Sequence, residues 1–300
     1  LVEYGVTGSS TVSTMSGTTS GSKNTVSLTS LSPSSNYTVK VRVVCSSADT
    51  SNWASYQFST LYLTPISEDF TGFTGSNLSA VAPGWDERYG YPLPSNSGSY
   101  WTTMSTTQKT FFGKNGAKIN LYTNNRREWM ISPRFLAAST DSVKFWAAIT
   151  TWNGTSSSGM HSDDSVNVLV SNDGGNTWSL LMAIASANAP SNAFTKYSAS
   201  LSSYTGQAIN VAFYASDGST SGTPDYDFHV TDVFLGTPPN LDMKGVSARL
   251  DGCLSNSQQV FAVIQNGASS TINFATNNTT VGVKIGGKAT ANLSTTLNPT

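Results

Sequence analysis

The stretch Asp163-Asp164-Ser165-Val166-Asn167-Val168-Leu169-Val170-Ser171-Asn172-Asp173-Gly174-Gly175-Asn176-Thr177-Trp178 reads in two parts. Val166, Val168 and Val170 recur at every second position, the pattern of a strand that buries one face. The Asn-Asp-Gly-Gly run that follows is turn chemistry: an Asp side chain accepts from turn backbone, Gly supplies positive φ, and the closing Trp packs beneath. The same alternation returns in Tyr37-Thr38-Val39-Lys40-Val41-Arg42-Val43 and in Val260-Phe261-Ala262-Val263-Ile264, with turn clusters between. Long amphipathic helix patterns are absent. The chain is expected to be all-β and multi-domain, a series of β-sandwiches, since 300 residues hold two or three domains at about 100–200 residues each.

Charge excludes one class of function. Charged residues are 11% of the chain, and 16 Lys and Arg nearly cancel 17 Asp and Glu, so nothing supplies the phosphate neutralisation that nucleic-acid binding needs. Apolar runs such as Val39–Val44 fall far short of the roughly 20 residues of a spanning helix, and no membrane insertion is expected. Polarity comes from Ser, Thr and Asn, a composition of secreted bacterial β proteins. Cys45 and Cys253 fall in different expected domains, so each is expected to be free or paired outside these residues. The chain starts without Met on Leu1-Val2-Glu3-Tyr4, as if already inside a strand, and is read as part of a longer chain.

Three regions resemble known families. Residues 1–61 contain Leu31-Ser32-Pro33-Ser34-Ser35-Asn36-Tyr37, then Trp53 and Phe58-Ser59-Thr60, and resemble the later strands of a fibronectin type III domain, with Tyr37 as its tyrosine corner. Residues 62–238 give Ser67-Glu68-Asp69-Phe70, Pro83-Gly84-Trp85, Trp129-Met130-Ile131-Ser132-Pro133, Val143-Lys144-Phe145-Trp146, the Asp163–Trp178 stretch, Tyr204-Thr205-Gly206-Gln207 and Val230-Thr231-Asp232-Val233. In that order they resemble the cleaved-adhesin, or choice-of-anchor J, family of MAM-like jelly rolls in secreted Bacteroidetes proteins. Residues 239–300, with Leu241-Asp242-Met243-Lys244-Gly245-Val246, resemble part of an immunoglobulin-like CARDB module. The resemblance implies an adhesin jelly roll between β-sandwich beads, export by the type IX route and a bacterial cell-surface location.

The turn itself fits S-x-D-x-G-x-T-W, the Asp box known from sialidase propellers. A propeller repeats the motif over several blades and adds an arginine cluster for the sugar carboxylate. Here there is one copy, and the adjacent Arg126 and Arg127 point to opposite faces of a strand. Ser171, Asp173, Gly175, Thr177 and Trp178 are therefore expected to build a hairpin, not to do chemistry.

Strand parity suggests a metal. Glu68 shares a face with Ile66 and Phe70, Asp164 with Val166 and Val168, and Asp232 with Val230 and Phe234, if no bulge intervenes. Inward carboxylates of like sign need neutralising, and a hard cation does this. Related jelly rolls hold structural calcium where an early Glu-Asp segment meets later strands, so the resemblance implies a Ca²⁺ site from Glu68, Asp69, Asp164 and Asp232. The alternative is separate edge carboxylates, each satisfied by backbone or water. A glycosidase acid and base would need such carboxylates to line an open cleft. His161 and His229 match no established ligand spacing, and His229 with Asp227 and Asp225 reads as a solvated strand face. No G-x-S-x-G elbow surrounds a serine. Asp141-Ser142-Val143 and Asp164-Ser165-Val166 also look like O-glycosylation acceptors of secreted Bacteroidetes proteins.

Aromatic loops are the expected recognition surface. Tyr89 and Tyr91, the Tyr100-Trp101 region and Trp152 place rings among polar side chains, where sugar faces and protein interfaces both dock; the same rings could equally be packing. Trp85 reads as core. The expectation is a non-catalytic fragment of a secreted cell-surface adhesin that recognises a glycan or a host or matrix protein through a calcium-stabilised jelly roll. The alternatives are an accessory region of a secreted hydrolase such as a peptidase, and a stalk without a ligand.

Overall fold

The computed structural model describes residues 1–17, 25–75, 78, 82–122, 126–220 and 222–237, and as backbone strands alone 241–248, 260–266, 283–285 and 288–290. Cys253 lies outside these; Cys45 is a free, exposed thiol. The chain divides into two compact units, Leu1–Thr237 and Pro238–Thr300, so the region expected as 1–61 and all but the last residue of that expected as 62–238 fall in one unit.

The first strands are β1 (Val2–Val6), β2 (Ser13–Met15), β3 (Asn36–Val41), β4 (Val44–Ser46), β5 (Asp49–Thr50) and β6 (Ala54–Ser59). They make an antiparallel sheet of order β2-β1-β3-β6 and a β4–β5 pair. Tyr37 is buried, stacks on Phe58 at 5.7 Å, and its phenol oxygen accepts from the Ser32 N–H at 2.9 Å.

The larger part is a two-sheet sandwich. Its elements are β7 (Ile66–Glu68), β8 (Asp86–Tyr89), β9 (Asn96–Ser97), β10 (Thr102–Thr103), α1 (Thr106–Phe112), β11 (Ala117–Leu121), β12 (Arg127–Ile131), β13 (Phe135–Leu136), β14 (Ser142–Thr151), β15 (Ser165–Ser171), β16 (Ser179–Ala185), β17 (Thr195–Ser200), β18 (Ala208–Ser216) and β19 (Tyr226–Gly236). One sheet runs β10-β11-β19-β14-β17, with β7 also on β19. The other runs β16-β15-β18-β12-β8-β9, with β13 also on β18. Period-two alternation turns Val143, Phe145, Ala147 and Ile149 of the first sheet onto Val166, Val168, Val170, Val211 and Phe213 of the second. Phe145 meets Phe213 edge-on at 5.0 Å across the layers. Each such Val, Ile or Phe side chain contributes roughly 1.5–3 kcal/mol by leaving water.

β19 changes phase midway. Phe228 and Val230 are buried in the core, and then so are Val233 and Leu235. Asp232 between them sits at φ 48° where the β14–β19 register shifts, from Trp146↔Thr231 to Lys144↔Phe234. This is a β-bulge with its extra residue in the left-handed region, which Asp tolerates better than most residues.

The S-x-D-x-G-x-T-W turn joins β15 to β16. Asp173 Oδ1 accepts from Ser171 Oγ at 2.8 Å and Thr177 N at 3.0 Å, and Oδ2 accepts from Thr177 Oγ1 at 2.6 Å. Gly174 and Gly175 take φ of 78° and 93°. Trp178 packs on Trp129 at 5.4 Å, part of a second small core with Ile131, Ala212 and Tyr214. These contacts make the turn a hairpin clip.

In the second unit, β20 (Leu241–Ala248) pairs with β21 (Val260–Asn266), and β22 (Val283–Ile285) with β23 (Lys288–Thr290), both antiparallel. Among the described residues no helix is long and apolar enough to cross a membrane.

Candidate ligand-binding groove

On the face of β11, β19 and β14 turned away from the core, alternation collects polar groups. Ala117, Ile119 and Leu121 point inward, so Lys118 and Asn120 point out; opposite Phe228 and Val230, so do Asp227 and His229. The register sets Asp227 between Asn120 and Thr150, and His229 between Lys118 and Ala148. Helix α1 covers part of this face. Ser105-Thr106-Thr107-Gln108 is a capping box: Ser105 Oγ accepts from the Gln108 N–H, and Gln108 Oε1 accepts from the Ser105 N–H. Gly113, at φ 63°, ends the helix.

The same Gln108 side chain reaches the sheet. Its Nε2 donates to Asp227 Oδ2 at 2.7 Å, and also to Thr150 Oγ1 and the Gly154 carbonyl. Asp227 Oδ2 accepts further from Lys118 Nζ and from the Asn153 N–H, each at 2.8 Å, and Lys118 Nζ donates to Asn153 Oδ1 at 2.6 Å. Asp227 is 0% and Lys118 7% exposed. Removing either partner would leave an uncompensated buried charge. Among the described residues, Asp227 Oδ1 has no hydrogen-bond partner. His229 lies under the helix, edge-on to Phe112 at 5.2 Å, with Nε2 2.9 Å from Thr150 Oγ1; burial pushes its pKa down to about 4.

The ion pair floors a groove of about 900 Å³. Tyr100 and Trp152, 62% and 58% exposed, stand on its lining with Tyr122. Arg126 stacks its guanidinium 3.4 Å over the Tyr100 ring, which holds that ring as a platform. Asp225 Oδ1 accepts from Asn120 Nδ2 at 2.7 Å, and hydroxyls of Thr102, Thr103 and Ser105 line one side. The arrangement combines flat aromatic surface, a fixed carboxylate, a fixed ammonium and many hydroxyl and amide partners.

The expected calcium ligands do not gather in one place. Asp164 is buried on the valine face of β15, where parity puts it, but its Oδ2 accepts from the Tyr226 phenol at 2.7 Å. Glu68 Oε1 accepts from the Phe70 N–H at 2.6 Å, and Asp69 is exposed and caps the Thr71 N–H. Asp232 turns outward because of the bulge and pairs with Lys114, a cation remote in sequence. Glu68 pairs with Val233, beside Asp232, whereas Asp164 is tied to Tyr226. From Tyr226 to Asp232 along β19 is roughly 20 Å at about 3.3 Å per residue. The four residues therefore do not fit one ion. His161, Asp163 and Asp164 do lie together, but His161 Nδ1 is 2.6 Å from Asp163 Oδ1, whose other oxygen accepts from the Ser219 and Thr220 N–H groups. Those bonds hold the Asp163 carboxyl well below its usual range.

The aromatic expectations separate in the same way. Trp101 is wholly buried in the sandwich core, which corrects its reading as a surface residue; the neighbouring ring, Tyr100, is the exposed one. Trp152 lines the groove, while Tyr89 and Tyr91 are exposed but lie outside it, with Tyr91 stacked on Tyr214 at 6.4 Å. Trp85 packs against Phe70 in the core. The Asp227-His229 face is not solvated, because α1 and the Trp152-Asn153 turn lie over it. Lys118, Asn120 and Gln108 escaped the sequence reading, and Asp227 enters it only as part of a solvated face. The Ala-Lys-Ile-Asn-Leu alternation and the S-x-x-Q capping box were the signals that could have found them.

Fold and groove together define a β-sandwich module with a polar, aromatic-edged cleft on one sheet. No family model and no curated protein sequence matches the chain. Solved structures similar to it include the K1 cleaved adhesin domain of Lys-gingipain from Porphyromonas gingivalis W83, at 12% identity and TM-score 0.40, covering 59% of this chain and 99% of that one. The first family 27 carbohydrate-binding module of Caldicellulosiruptor saccharolyticus, solved with mannohexaose, is 14% identical with TM-score 0.37, covering 59% and 98%. TmCBM61, solved with β-1,4-galactotriose, is 12% identical with TM-score 0.34, covering 57% and 95%.

Proposed function

We propose that the Leu1–Thr237 unit is a non-catalytic glycan-recognition module of a secreted bacterial adhesin, holding a sugar chain in the groove edged by Tyr100 and Trp152. The observation that carries this reading is the pairing of two exposed rings with a floor of buried, oriented hydrogen-bonding groups. Sugar rings present an apolar face that stacks on aromatics and an edge of hydroxyls that needs fixed donors and acceptors.

Binding is favoured over chemistry by how the groove's ionisable groups are held. Asp227 is committed to Lys118 and two further donors, and Asp225 to Asn120. Neither described histidine lines the groove: His229 is sealed under α1 and His161 is paired with Asp163. The Ser, Thr and Asn-rich composition supports a secreted, surface-exposed setting. The test is titration of the protein with soluble polysaccharides, followed by tryptophan fluorescence and calorimetry. Trp152→Ala should abolish binding and leave the thermal transition in place, and unchanged affinity in that variant would end the reading.

A further inference from the structure

The floor of the groove narrows the class of sugar, and this step rests on the groove being the binding site. Asp227 is wholly buried and lines the groove, yet its two oxygens are used unequally. Oδ2 takes three donors, from Gln108, Lys118 and Asn153; Oδ1 takes none. A buried carboxylate oxygen calls for a hydrogen-bond donor or a cation. A cation is disfavoured there, since the Lys118 ammonium stands 2.8 Å from Oδ2, and Lys109 and Arg126 also line the groove. A carboxylate ligand is disfavoured at this oxygen as well, because it has no proton to donate and carries the same charge. What remains is a neutral hydroxyl.

Lys118 supplies the complement. Its ammonium has three N–H donors, of which two are engaged, by Asp227 Oδ2 and Asn153 Oδ1. An acceptor and a donor on ion-paired neighbours match two adjacent hydroxyl groups, one giving its proton to the carboxylate and the other accepting from the ammonium. We infer that the floor of the groove reads a pair of neighbouring free hydroxyls on a neutral sugar ring, through Asp227 Oδ1 and Lys118 Nζ, while Trp152 or Tyr100 carries the ring's face. A glycan whose hydroxyls are substituted or absent at those two carbons leaves the buried pair unsatisfied and is rejected, which is where a hydrogen-bonding site discriminates most strongly.

The experiment uses the full chain and four probes: xylan, galactomannan and mixed-linkage glucan as neutral polymers, and polygalacturonate as an anionic one. Each is tested native and after periodate cleavage of its adjacent diols followed by borohydride reduction. The expected result is binding to at least one native neutral polymer, a loss of about tenfold or more after periodate treatment, and no binding of polygalacturonate. Asp227→Asn, which keeps an oxygen for the three internal donors and puts an N–H₂ where the free acceptor stood, should give a similar loss. The periodate comparison needs no variant and stands if Asp227→Asn fails to fold. Binding that is lost in Trp152→Ala but survives periodate treatment overturns the diol inference and keeps the groove. Polygalacturonate bound as tightly as the neutral polymers also overturns it. If none of the four probes binds, or if Trp152→Ala binds as well as the parent, the groove reading falls and the diol inference with it.

Discussion

Acidification tests the sealed outer face around His229. Its imidazole is 0% exposed, and desolvation lowers its pKa from 6.5 to about 4, with Asp227 opposing and Lys118 adding to the shift. Above pH 6.5 the ring is neutral in both folded and unfolded chains. As pH falls from 6.5 toward 4, the unfolded chain takes up a proton that the folded chain refuses, so stability is lost over that window. The gap amounts to about 3 kcal/mol at about 1.4 kcal/mol per pH unit. For a unit of this size that is roughly 6–12 °C in Tm. Burial raises the pKa of Glu68, Glu87, Glu128 and Asp164, and these groups push the other way, gaining stability on acidification. The quantity to read is therefore the difference between the parent and His229→Gln, followed by calorimetry from pH 7 to pH 4. The parent should lose about 3 kcal/mol relative to the variant over that range. A difference that stays constant with pH would refute the sealed, neutral histidine.

Other outcomes follow from the packing and the turn. Phe213→Ala removes the ring that meets Phe145 across the sheets and should cost about 3–5 kcal/mol in denaturant unfolding. Asp173→Ala should lower Tm at neutral pH. Because the turn donors hold the Asp173 carboxyl down at about 2, that deficit should fade as pH drops from about 4 toward 2, where the parent also loses the charge. Asp164→Asn is expected to leave unchanged any rise in Tm on going from EDTA to calcium, since Asp164 stands apart from Glu68 and Asp232; loss of the rise in that variant would restore Asp164 as a ligand.

How far the sequence could be read depends on the range of the interactions involved. Strand alternation and the Asp173 turn are local, set by side-chain direction and hydrogen bonds within a few residues, and both were legible. Parity along β19 failed at Asp232 because a bulge changes phase without changing composition, and Lys114, the cation that answers Asp232, is brought in by the fold. Trp101 and Tyr100 are adjacent and alternate in direction, so choosing the exposed ring needed a register the sequence did not specify. The groove was the least legible part. It is assembled from β10, β11, α1, the turn after β14 and the start of β19, and its polar floor looks like an ordinary wet strand face until α1 covers it.

Gln108 closes the first turn of α1 with one end of its amide and holds Asp227 with the other. Fraying of that turn and release of the carboxylate are thus a single event. Occupancy of the groove should be visible as slower amide hydrogen exchange across the first turn of the helix. A mutation at Ser105, which lines the groove but lies apart from its buried floor, would weaken binding by populating the frayed state rather than by removing a contact on that floor.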